Sequence, residues 1–290
     1  MSEIIIKPAT SYKSRCPVDD LHSHAYPDPK RFQNIAKRYG IPLYGPGSVT
    51  DARENMDKSG VRRRVIKNFA KDPRTVRPAN DFAIAIAQAY PGRLIPTGTI
   101  HPGYERNEEE VERLVEAGVR GLGFDSCWQK FHIDDSRLRA AYQKASQYGM
   151  FILTHTGIDL GVDPDNPLTW AENVLGVRSM APDSLIIAAH LGANVHYQRA
   201  REYPQGQRIL FDISWLMEML PEMKKVGLEI TWGEIQDIIY ESLGIENIVY
   251  ASDLPWADPA AQIAFWEKFF GEDWEKVAYL NAEQKLPLTV

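Results

Sequence analysis

Eight short apolar runs, each followed by a segment of helical character, recur along this 290-residue chain. They fall at residues 18–21, 64–69, 94–100, 119–124, 151–154, 185–189, 209–213 and 247–251. Most are apolar on both parities, as strands covered on both faces must be. Helical patterns are expected at 79–90, 107–117, 134–148, 167–180, 195–202, 231–243 and 259–270. Asn107 and an acidic residue at 134 read as N-caps, and Thr231 with Glu234 reads as a capping box. Strands alternating with helices predict a parallel sheet, and eight repeats select a closed (β/α)8 TIM barrel over an open sheet.

A barrel of this kind takes ~250 residues as one domain, so residues 1–290 are expected to form a single domain with loop insertions. Two segments exceed the minimal design. Residues 25–50 carry Tyr-Pro-Asp-Pro-Lys and Ile-Pro-Leu-Tyr-Gly-Pro-Gly, and residues 214–230 are rich in Met, Trp and Leu. Both follow strand ends on the C-terminal rim, where loops build barrel active sites. They are expected as pocket walls or lids, with extra packing or a subunit contact as the plainer alternative.

Apolar residues make up 44% and charged residues 25%, and 33 basic against 39 acidic residues leave a net charge of −6. That balance argues against nucleic acid or an acidic membrane as a general partner and for a small-molecule substrate. No run approaches the ~18 apolar residues of a membrane span, and the apolar residues near the N-terminus are too few for a signal peptide. Two cysteines, Cys16 and Cys127, make no disulfide framework. The expected location is therefore the cytoplasm, with Cys127 a buried free thiol.

Polar residues at the strand ends carry the chemistry. His22 and His24 lie two apart in Asp20-Leu21-His22-Ser23-His24, a spacing that puts both on one side of an extended strand. His155 ends the fifth run, His190 the sixth and Asp253 the eighth. From His24 to His155 is 131 residues over four units, from His155 to His190 is 35 over one, and from His190 to Asp253 is 63 over two. A βα unit of such a barrel averages ~31 residues, so all five groups reach one rim. Neutral imidazoles and a carboxylate converging there suit a divalent metal.

These motifs resemble the amidohydrolase superfamily, in the branch that includes aminocarboxymuconate-semialdehyde decarboxylase and related hydrolases. The resemblance runs from Asp-Leu-His-Ser-His through His155-Thr156-Gly157 and His190-Leu191-Gly192 to Ala251-Ser252-Asp253-Leu254-Pro255-Trp256. It implies a metal, zinc by expectation, held by His22, His24, His155 and Asp253. It further implies that Asp253 accepts a proton from a metal-activated water and that His190 orients substrate or adds a ligand. Members with two metals carry a lysine on strand four. Residues 119–125 here contain none, so one ion is expected. Asp125 is expected as a helix-capping loop residue, with a further polar group of the pocket as the alternative.

Substrate contacts are expected from His101, Arg74, Trp128 and Trp256 on the same rim, with Lys67, Arg199 and Trp215 as further possibilities. The implied activity is metal-dependent hydrolysis of a small carboxylate, lactone or amide. Metal-dependent nonoxidative decarboxylation and metal-independent lactone hydrolysis are the alternatives. A homodimer is the assembly that the family implies.

Overall fold

In a computed structural model, Lys7 and residues 10–159, 166–225, 227 and 229–286 are described. Residues 4–6 and residues 226 and 228 of the second insertion lie outside the described residues. Eight strands form one sheet in sequence order: β1 Val18–Ser23, β2 Val61–Ile66, β3 Leu94–Gly98, β4 Gly121–Phe124, β5 Phe151–Thr154, β6 Ile186–Ala188, β7 Ile209–Asp212 and β8 Ile248–Val249. Every neighbouring pair is parallel. The eight expected runs are the eight strands. The second run is shifted: the strand begins at Val61, leaving Lys67 and Phe69 on the rim.

The seam between first and last strands is closed just past β8. Leu21 N donates to Tyr250 O at 3.1 Å, Asp253 N to His22 O at 2.8 Å and His24 N to Leu254 O at 2.6 Å. A side-chain clamp reinforces it. Asp20, fully buried, accepts from Ser252 N (2.8 Å), Ser252 Oγ (2.6 Å) and Arg64 Nε (2.9 Å). Arg64 in turn donates to Ala52 O (2.6 Å) and Asn55 Oδ1 (3.0 Å).

The barrel interior is filled by Leu21, Val65, Ile95, Phe151, Leu153, Ile187, Leu210 and Val249. Glycine at 121 in β4 is a packing requirement. A Cβ there would lie 2.3 Å from Cζ of Phe151, whose ring already fills that space. A second, larger core lies between the sheet and the helices outside it.

Those helices are α1 Pro29–Tyr39, α2 Val49–Ser59, α3 Val76–Ala89, α4 Asn107–Glu116, α5 Ser126–Gln129, α6 Arg139–Gln147 and α7 Ala171–Met180. After them come α8 Leu216–Lys225, α9 Trp232–Asp237, α10 Pro259–Phe270 and α11 Asn281–Lys285. Both insertions are helical rather than irregular: α1 lies in the first, α8 in the second. Pro29 and the Asp28 side chain start α1 and Gly40, in the left-handed region at φ 65°, ends it.

Some local expectations change. Asn107 does not cap α4; it is the first helical residue, and its amide holds His101 N, His101 O and Tyr104 O at 2.8–3.1 Å. Asp135, not residue 134, caps the turn before α6. The segment expected as a helix at 195–202 is a 3₁₀ coil over Tyr197–Glu202. The Thr231–Glu234 capping box forms as expected. No helix among the described residues is long and apolar enough to cross a membrane.

Candidate metal centre

His22 and His24 leave the end of β1, and Asp253 follows β8 across the closed seam. The pairing of β1 with β2 slips between Asp20 and Ser23, so the irregularity falls at His22, where an extended strand must re-aim its side chain. Asp253 has φ 61° and His190 φ 55°, a left-handed backbone that non-glycine residues adopt at a cost. Both strained positions are in the site.

His22, His24 and Asp253 each offer a ligand atom within 4.8 Å of the other two. Asp253 Oδ1 stands 3.1 Å from His24 Nε2 and 3.5 Å from His22 Nε2. A tetrahedral zinc with bonds of ~2.0–2.1 Å has ligand–ligand edges of about 3.3 Å. The trio therefore needs little movement to close on an ion. Buried His22 Nε2, His24 Nδ1, His155 Nε2 and Asp253 Oδ1 have no hydrogen-bond partner. Orphaned buried atoms of this kind are costly unless something outside the chain satisfies them.

Hydrogen bonds assign the tautomers. Ser214 Oγ gives its proton to Asp212 Oδ1 at 2.5 Å. It is then an acceptor, as is Ser214 O, toward His190 Nδ1 at 2.9 and 3.2 Å, so Nδ1 carries the hydrogen. His190 Nε2 is left bare and accepts from His155 Nδ1 at 3.0 Å. His155 Nε2 is consequently a lone pair. In the same way His22 Nδ1 donates to Asp212 Oδ2 at 3.1 Å, which leaves its Nε2 bare. Burial, with the Lys67 ammonium as the next cause, holds His22 and His155 well below the ordinary imidazole range and His24 at about 3. Burial and the neighbouring His155 do the same for His190. All four rings are neutral, the form a metal requires. Burial pushes the Asp253 carboxyl well above its usual range.

His155 does not share the His22–His24–Asp253 group; it stands with Asp125 and Asp159, the three ligand atoms again within 4.8 Å of one another. Asp125 caps α5 as expected, through Trp128 N at 3.5 Å, and also meets Lys67 Nζ at 3.5 Å. Burial and the Asp125 charge raise the Asp159 carboxyl to about 8.

A cavity of about 500 Å³ opens over these groups, lined by His24, Lys67, Asp125, His155, Asp159 and Asp253 at its polar end. Its apolar wall is an aromatic column: His24 stacks on Tyr26 (5.9 Å between ring centres), Tyr26 on Phe32 (4.2 Å), and Phe32 meets Trp256 edge-on (4.4 Å). Trp128 forms another part, its Nε1 donating to Asp159 Oδ2 at 2.5 Å. The loop after His155 is held by Gly157, at φ 79°, where a Cβ would lie 2.3 Å from Asn194 N.

Trp128 and Trp256 thus line the cavity, together with Trp215 and Lys67. Arg74 does not line it: its side chain is 90% exposed and pairs with Asp72 beside it. His101 does not line it either; its ring packs on Phe131 at 5.0 Å and its Nδ1 accepts from Gly103 N. Arg199 lies over Trp170 on the outside. Asp212 and Asp159 were not among the expected site residues. Asp212 had much the same signal as Asp253, a metal-capable residue directly after apolar Ile209-Leu210-Phe211, although it lay inside the run expected at 209–213. Cys127 is buried and free.

The sequence matches the amidohydrolase family over residues 19–288. The chain belongs to that family. No curated protein matches it by sequence. Among solved structures it is similar to an uncharacterised TIM-barrel protein from Bordetella bronchiseptica (18% identity, 94% of this chain and 99% of that one, TM-score 0.66). It is also similar to 5-carboxyvanillate decarboxylase from Sphingomonas paucimobilis (17%, 92% and 98%, 0.60). A third is a putative 2-pyrone-4,6-dicarboxylic acid hydrolase from Pseudomonas putida (14%, 94% and 98%, 0.64). At these identities the likeness speaks for the barrel alone.

Proposed function

We infer that this protein is a metal-dependent hydrolase acting on a small carboxylate, lactone or amide. The observation that carries the reading is the set of buried, unpartnered atoms converging from β1 and the end of β8: His22 Nε2 and Asp253 Oδ1, with His24 beside them. These residues would hold a divalent ion, zinc by its fit to nitrogen and oxygen donors. Such an ion polarises a substrate carbonyl and lowers the pKa of an adjacent water toward 7.

The chain's own groups do the rest. Asp253, whose carboxyl is shifted upward by burial, takes the proton of the attacking water and returns it to the leaving group. Its left-handed backbone fixes the direction from which it acts. Asp212 orients His22, while His190 spends both ring nitrogens on Ser214 and His155 and so positions His155. Lys67, buried at the cavity floor with one long contact to Asp125, has donors left for an anionic oxygen of the substrate. The aromatic column excludes water from the apolar end.

One observation favours nonoxidative decarboxylation as a second reading. The same aromatic wall would strip water from a substrate carboxylate, which promotes loss of carbon dioxide. The test is a panel of lactones, esters, amides and aromatic or unsaturated acids on zinc-loaded protein. Release of a new acid with its alcohol or amine supports hydrolysis, and carbon dioxide as product replaces it with the second reading. Turnover by metal-free protein, indifferent to chelators, overturns both in favour of a metal-independent lactonase.

A further inference from the structure

The cavity has a second, chemically different part away from its polar end. Phe32 and Ile35 of α1, Ile41 just after it, and Pro78, Ala79 and Phe82 of α3 line it there. Phe32 and Ile35 are three positions apart and Pro78 and Phe82 four, so each helix turns one face to the cavity. Polar groups in this part are spent within the chain. Asp28 caps α1 through Lys30 N at 3.1 Å, and Asp72 caps the turn before α3 through Arg74 N at 3.0 Å. Asn68 Nδ2 donates to Ala79 O at 2.7 Å and Thr75 Oγ1 to Asp72 O at 2.8 Å. Lys71 is exposed. What this arm offers a ligand is therefore apolar surface, and Ile35, Ile41 and Phe82 are only half-buried, so a ligand can cover more of it.

Size agrees. A cavity of about 150 Å³ holds a benzene ring, and this one measures about 500 Å³. An acid of one ring at the polar end would leave the arm to water against apolar walls, at a cost in affinity. The arm is also an addition to the barrel, because α1 belongs to the insertion at 25–50 that a minimal (β/α)8 design does not need. We propose that the substrate carries an extended apolar group, in its simplest form an alkyl chain, that lies along α1 and α3 while its reacting end lies at the metal centre beside Lys67. The reacting end rests on the hydrolase reading; the arm adds the class of group attached to it.

Binding of straight-chain carboxylates from acetate to octanoate to zinc-loaded, full-length protein tests this by calorimetry. Affinity is expected to rise about fourfold per methylene, the ratio that burial of one CH₂ gives. Ala79→Phe puts a ring into the arm and should end the rise at a shorter chain. Ile35→Asp puts a charge there and should flatten it. Both substitutions leave the polar end as it is. Equal affinity along the series, no binding by any member, or a rise unchanged in both variants overturns the proposal. Should a variant fail to fold, NMR of the wild-type protein decides: contacts between the octanoate methyl and the methyls of Ile35 and Ile41 are expected, and their absence overturns it. Binding needs no turnover, so the two readings fail apart. A chain-length rise with no ester or lactone hydrolysed removes the hydrolase and keeps the arm. Hydrolysis of a whole ester series with equal kcat/KM removes the arm and keeps the hydrolase.

Discussion

Asp212 Oδ2 stands 3.1 Å from Nδ1 of His22, and Oδ1 of the same carboxylate accepts the backbone N–H of His190 at 2.9 Å. One side chain at the end of β7 therefore sets the tautomer of one ring and the strained turn of another. Carboxylates in this position typically control metal affinity by 10–100-fold. Asp212→Asn keeps the shape and loses the charge. Its zinc affinity is expected to fall by about that factor in competition with a chromophoric chelator. Unchanged affinity would show that Asp212 serves the fold alone.

Zinc is expected to stabilise the native protein. An ion that binds only the folded state at a concentration 100 times its dissociation constant adds about 2.7 kcal/mol. For a chain of this size that corresponds to a rise of roughly 5–10 °C in melting temperature. The rise should be missing in a His22→Ala/Asp253→Ala variant. Calorimetry with and without dipicolinate measures it.

Glu218, in α8, is mostly buried, and burial raises its carboxyl to about 7. Gln262 Nε2 donates to both its oxygens at 3.0 and 2.9 Å, while Gln262 Oε1 is buried without a partner. In the unfolded chain Glu218 ionises near 4.3. Between that pH and 7 the unfolded chain loses the proton and the native state keeps it, so the stability due to Glu218 is lost as pH rises. Glu218→Gln carries a permanent donor for Gln262 Oε1. It should match the wild type at pH 4.5 and exceed it above pH 7 by roughly 2–4 kcal/mol. Urea midpoints across that range provide the check, and a pH-independent difference would sink the idea.

Arg64 is fully buried between the barrel and α2, and its partner Asp20 also clamps Ser252. Removing one member of such a pair leaves a buried charge unmet, at about 3–5 kcal/mol. Arg64→Met is expected to lose that much in urea unfolding. Because Ser252 precedes Asp253, zinc affinity should fall with it. The Arg64→Met/Asp20→Asn pair should recover part of the stability.

The strand runs were readable in the sequence because buried parallel strands are apolar on both faces, and turn residues bound them. His155, His190 and Asp253 were readable because each is the first metal-capable residue after such a run, and His22 and His24 because they lie two apart at the end of the first. Which of them meet was not. Spacing along the chain places His155 on the rim but does not tell that it stands with Asp125 and Asp159 rather than in the group of His22, His24 and Asp253. Asp212 was passed over because it falls inside the seventh run, 209–213, and was read with the strand. Lys67 looked like one basic residue among several until β2 ended at Ile66 and left it buried on the rim. Arg74 lies only seven positions further on, yet its side chain lies in solvent. Segment 25–50 read as loop through its prolines, although Pro29 is a helix-starting proline.

The seam that joins β1 to the stretch after β8 has a consequence for how the protein is made. Its clamp ties Asp20 to Ser252, 232 positions apart. A nascent chain emerging from the ribosome carries His22 and His24 from the outset, but it lacks their carboxylate partner until nearly all of the polypeptide has been synthesised. On the proposed function, ion capture at that seat would be a late event of biosynthesis. A chain that stalls short of Asp253 retains two histidines without the carboxylate that completes their group.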